Sequence, residues 1–133
     1  MSQLKSREVA LLAVRYALDR KAYDLLLLNI AEISSLADYF LICTARSDRQ
    51  AQAIAESIRQ NLAEVGVRPS LIEGFAAGQW ILMDYGDVAV HVFLEDVRAF
   101  YDLERLWARA HVVELPEPYR SQVEDLRLVG AAR

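Results

Sequence analysis

The chain has 133 residues, 54% of them hydrophobic, enough for one domain with a real core, because a chain of this size buries roughly two-thirds of its extended surface. Fifteen Lys and Arg against nineteen Asp and Glu leave a net charge of −4, which weighs against wrapping a nucleic-acid backbone and suits a basic protein partner. No apolar run approaches the roughly 20 residues of a membrane span, and the opening MSQLKSREVA lacks a signal-peptide core, so a soluble, cytoplasmic protein is expected.

Residues 3–20 place Leu4, Leu11, Val14 and Leu18 on one side at helical spacing and predict an amphipathic helix that covers a sheet. DLLLLNIAEI (24–33) and YFLICTA (39–45) are short, nearly unbroken apolar runs, the pattern of strands buried on both faces, joined through Ser34, Ser35 and Asp38. Cys43, the only cysteine, has no Cys or His neighbour at metal-ligand spacing and is expected as a small buried residue. Ser47-Asp48-Arg49-Gln50 has the form of a capping box. The helix it opens carries Ile54, Ile58, Leu62 and Val65 as one stripe and stops at Gly66 and Pro69. After Leu71 to Phe75 and the small-residue loop AAGQ, QWILMD and DVAVHVF flank Tyr85-Gly86, the strongest hairpin signal in the chain. Residues 95–110 read as one further helix, and 113–133 as a polar, Pro-containing tail beyond a domain of residues 1–112. This order predicts an α/β sandwich in which helices pack on a mixed β-sheet.

The unit YFLICTARSDRQAQAI could hold a phosphate at its helix N-terminus, but it lacks the glycines that let a backbone approach closely and carries no P-loop or dinucleotide fingerprint. Asp84, Asp87, His91, Glu95 and Asp96 lie close in sequence, and carboxylates with a histidine can hold a divalent cation or move protons. Strand geometry opposes that, since Asp87 and His91 stand two pleats apart, roughly 13 Å. No metal, cofactor or catalytic residue is therefore expected. With a two-residue turn, Trp80 pairs with His91 and Leu82 with Ala89, which gathers Trp80, Leu82, His91 and Phe93 on one face and leaves Val88, Val90 and Val92 for the core. The aromatic face is either covered by a helix or partly open as a docking surface. In the helix that follows, Val97, Tyr101, Glu104 and Trp107 form a stripe. Phe100 and Leu103 are expected in the core, and Glu104 is expected to meet a basic partner or a local Arg105 or Arg109.

The run SSLADYFLICTARSDRQAQAIAESI, then EG, then W-x-x-x-D-x-G-D-x-x-V-H-V from Trp80 and Y-x-L-E-x-L-W from Tyr101, closely resembles the ribosomal silencing factor family, also called Iojap-like, over residues 5–110. Ser47 and Arg49 also match the family pattern, whereas Ala45 stands where glycine is common. The resemblance implies a nucleotidyltransferase-like α/β sandwich without catalytic residues. It also implies binding to the large ribosomal subunit through its protein L-fourteen at the intersubunit face, which blocks joining of the small subunit and represses translation under nutrient limitation. Carried over residue by residue, it implies partner contacts at Trp80, Asp84, Asp87, His91, Tyr101, Glu104 and Trp107. Nucleotidyltransferases of similar fold need a Gly-Ser at the helix start and paired magnesium carboxylates; here Ala45-Arg46-Ser47-Asp48 stands instead, and there is no D-x-D. The competing readings are a nucleotide-using transferase of the related fold and a generic oligomeric interaction module. Sequence-specific nucleic-acid binding is not expected, and a homodimer through an exposed sheet edge or face stays open.

Overall fold

The computed structural model describes the backbone of residues 4–131 and the side chains of residues 4–125. Helix α1 (Ser6–Leu18) leads into strands β1 (Tyr23–Asn29) and β2 (Tyr39–Ala45), helix α2 (Asp48–Glu64), then β3 (Leu71–Glu73), β4 (Trp80–Asp84) and β5 (Val88–Leu94). Short helices α3 (Glu95–Tyr101) and α4 (Leu103–Leu106), strand β6 (His111–Val112) and helix α5 (Tyr119–Ala131) complete it. The strands form one mixed sheet in the order β3-β4-β5-β2-β1-β6, with β2 and β5 parallel at its centre and the other neighbours antiparallel. The expected α/β sandwich on a mixed sheet is thus the observed architecture.

Every residue of β2 is buried, as its unbroken apolar run requires of a central strand covered on both faces. On one face Leu41 and Cys43 of β2 join Val88, Val90 and Val92 of β5, and Val14, Ile54 and Ile58 of α1 and α2 pack over them. Cys43 is fully buried, and that burial pushes its thiol up to about 12, so it stays protonated and serves as packing. The Ser47 hydroxyl accepts from the Gln50 N–H at the start of α2. Gln50 itself reaches the Arg46 N–H and donates to the Arg20 and Lys21 carbonyls, which ties the α1–β1 turn to this helix start.

Two readings of the chain's second half are corrected. The segment expected as a tail continues from β6, which lines the edge of β1: the Val113 N–H donates to the Leu27 carbonyl, and Val113, Leu115 and Val123 join the main core. Their apolar spacing was masked by the Glu, Pro and Arg residues between them. The single helix expected over 95–110 is broken at Asp102, whose backbone is left-handed at φ 49. Phe100, expected in the core, lies on the outer side of α3 and is 81% exposed. Leu103 is partly buried against the sheet.

Candidate functional site

The second face of the sheet carries an aromatic group assembled by the β4–β5 hairpin and the α3–α4 segment. The hairpin register pairs Trp80 with Phe93, Leu82 with His91 and Asp84 with Ala89, two residues away from the expected pairing, because the chain reverses at Gly86-Asp87. Gly86 there adopts φ +87, a conformation that glycine takes without steric cost. A shift of two keeps every side chain on its face, so Trp80, Leu82, His91 and Phe93 do share one side, as expected. The start of β4 is set by a tight loop in which Gly78 donates to the Gly74 carbonyl; a Cβ at Gly74 would collide with the Trp80 carbonyl.

Trp80 is partly buried, stacks on Phe93 at 4.9 Å between ring centroids and leans on Tyr101 at 4.7 Å. Its indole N–H donates to His91 Nδ1 at 3.1 Å. His91, 6% exposed, therefore holds its proton on Nε2, and burial pushes its pKa down to about 4, so it is neutral at physiological pH. Phe40 from β2 meets the His91 ring edge-on at 5.0 Å and the Trp107 ring at 5.1 Å, joining the hairpin to the end of α4. The aromatic face is thus covered in its middle by α3–α4, with Tyr101 half exposed at its margin.

The polar anchor of the cover is Arg98, which donates to the Asp24 carbonyl at 2.6 Å, to Thr44 Oγ1 at 2.7 Å and to Glu104 Oε2 at 3.1 Å. Asp24 sits at a bulge in β1, at φ 46. Arg98, not Arg105 or Arg109, is therefore the partner of Glu104, because the break at Asp102 folds α4 back toward α3.

Of the residues carried over from the resemblance, the fold brings Trp80, His91, Tyr101 and Trp107 into one aromatic group, with Glu104 beside it on α4. Asp84 and Asp87 lie at the turn, several strand residues from Trp80, where Asp84 accepts from the Gly86 N–H and the Asp87 carbonyl accepts from Asp38 and Tyr39. Glu95 accepts from the Tyr23 hydroxyl. Among the described residues no three of His, Cys, Asp and Glu are gathered as a metal would need. Phe40 and Arg98 escaped the sequence reading. Strand alternation puts Phe40 on the face of Ile42, which pairs with His91, so Phe40 had a usable signal; Arg98 had none, since its three acceptors come from distant segments.

A family model described as "Ribosomal silencing factor during starvation" matches residues 3–128. The chain belongs to the ribosomal silencing factor family. It is 44% identical over 112 residues to a ribosomal silencing factor of Halalkalibacterium halodurans, covering 84% of this chain and 96% of the relative. A ribosomal silencing factor of Bacillus subtilis is 47% identical over 97 residues, 73% of this chain and 82% of its own. The crystal structure of a Chromobacterium violaceum protein superposes with a TM-score of 0.77 at 36% identity, over 86% of this chain and 92% of that one. A chloroplast Iojap protein of Zea mays is 35% identical over 96 residues, 72% of this chain and 42% of its own, the kinship expected from the motifs.

Proposed function

We propose that this chain docks on the large ribosomal subunit through protein L-fourteen at the intersubunit face, so that the small subunit cannot join and translation falls under nutrient limitation. It does so in the cytoplasm as a binding protein, without a catalytic step. Family membership supports the ribosomal partner, and no helix among the described residues is long and apolar enough to cross a membrane. The observation that carries the choice of surface is the outside of the α3–α4 cover. Phe100 and Leu106 are 81% and 74% exposed there, beside the half-exposed Tyr101, and Leu36 is exposed on the loop after β1. Large apolar side chains held in water next to an aromatic group are what a protein interface buries. The net charge of −4 complements a basic ribosomal surface. On this reading Trp80, Tyr101, Glu104 and Trp107 frame the contact, with His91 beneath them and Asp84 and Asp87 at its far end.

Sedimentation with separated subunits tests it. The protein should travel with large subunits and not small ones, and should lower the assembled fraction when both are mixed. Phe100→Asp and Leu106→Asp, at exposed positions, should keep the melting temperature while weakening binding by about 2 kcal/mol, the scale of an interface hot spot. Both variants binding like wild type, or an unchanged assembled fraction at full occupancy, would refute the assignment.

A further inference from the structure

Three buried side-chain polar atoms lack a hydrogen-bond partner among the described residues, Tyr85 Oη, His91 Nε2 and Glu104 Oε1, and two of them lie at the α3–α4 cover. A buried unpaired donor or acceptor is costly and calls for a partner. The cover is attached through part-buried residues. No residue of α3 or α4 is buried, whereas every residue of β2 beneath is. The two helices meet at Asp102, a non-glycine residue in left-handed conformation whose side chain makes no capping hydrogen bond to offset the strain. Arg98, the Glu95–Tyr23 hydrogen bond, the part-buried Val97 and Leu103, and the aromatic contacts of Tyr101 and Trp107 hold the cover to the sheet. His91 Nε2 meanwhile points a proton into a place that no outside group reaches while the cover is closed.

We infer that α3–α4 is a cover hinged at Asp102 that lifts from the aromatic floor of Phe40, Trp80 and His91, and that docking takes the open form, in which His91 Nε2–H donates to an acceptor of the partner. This rests on the docking reading above and deepens it by naming a conformational step and a donor. Closed, the cover presents Phe100, Leu106 and Tyr101 outward and keeps the aromatic floor from a partner. Open, the floor offers stacked rings with one directed donor, a combination suited to a protein main-chain carbonyl flanked by apolar side chains. Since only the open fraction is competent, the apparent affinity scales with that fraction.

Hydrogen exchange on the full chain tests the hinge without any partner. Amides of residues 95–107 should exchange through an opening roughly a hundredfold more populated than the one that exposes β2. Asp102→Gly removes the left-handed strain and should cut that opening roughly threefold, whereas Asp102→Val, with a β-branched residue in the same conformation, should raise it by a similar or larger factor. Large-subunit binding of the two variants should move with the opening, weaker by the same factor for Asp102→Gly and not weaker for Asp102→Val. Exchange of residues 95–107 only in step with β2 overturns the hinge. Altered exchange with unaltered affinity overturns the coupling to docking. Absence of wild-type sedimentation with large subunits would instead remove the docking reading, and the hinge then stands or falls on the exchange result alone.

Discussion

Replacing Trp80 separates its packing from its hydrogen bond. The ring touches Phe93 and Tyr101 and donates to His91, so it contributes to the fold from several sides. Full removal of a buried Trp costs about 3–5 kcal/mol, and for a partly buried ring about 2–3 kcal/mol is the appropriate share. Trp80→Ala also strips His91 Nδ1 of its donor, and with Nε2 already unpaired a buried imidazole would be left with neither nitrogen bonded, adding about 1–2 kcal/mol. The expected total is about 4 kcal/mol. Trp80→Phe keeps most of the ring contact and loses only the N–H, so it should cost about 1–2 kcal/mol. Urea denaturation followed by far-ultraviolet circular dichroism measures both without relying on the tryptophan signal that the change removes. If Trp80→Phe lies within about 0.3 kcal/mol of wild type, the indole–imidazole bond does not hold the hairpin face and the reasoning fails. A binding defect in Trp80→Ala alone would not show an interface role, because the stability loss precedes it; the exposed Phe100 and Leu106 are the cleaner probes.

His91 makes stability depend on acid. Its folded pKa, held near 4 by burial, lies below the ordinary value of 6.5, so between those values the unfolded chain binds a proton that the folded chain refuses. The stabilisation is complete above about pH 6.5, falls as pH drops toward 4 by up to about 3 kcal/mol, and is level below. His91→Gln should lose most of this excess acid sensitivity in urea melts at pH 7 and 4.5, and a variant with the same pH slope as wild type would contradict it. Arg98→Ala removes three hydrogen bonds that join α3 to β1, β2 and Glu104. It should cost about 2–3 kcal/mol in denaturation, and Arg98→Lys should recover little of it, because a single ammonium does not reproduce the guanidinium fork; full recovery by lysine would show that charge alone matters there.

Much of this molecule was legible in its residues. The nearly unbroken apolar run of β2 could only be a central strand, the Ser47 cap set the start of α2, and the alternation in VAVHVF put the valines in one core and His91 with Phe93 in the other. Those features survive because hydrophobic period and capping are local, and because a hairpin slip of two residues leaves each side chain on its face. The motif from Trp80 to Trp107 likewise carries the family resemblance in its residues alone. What only the tertiary structure decided lies where local preference competes with packing. The stripe through Val97, Tyr101, Glu104 and Trp107 suits one straight helix, yet the chain breaks at Asp102, which sets Tyr101 on Trp80 and Trp107 on Phe40 and gives Glu104 to Arg98. The apparent tail is drawn onto the core because Val113, Leu115 and Val123 bury apolar surface there, following β6, which covers the edge of β1. Edge pairing, a single left-handed residue and a guanidinium with acceptors from distant segments are long-range facts, and their energies appear only when the strands and helices have come together.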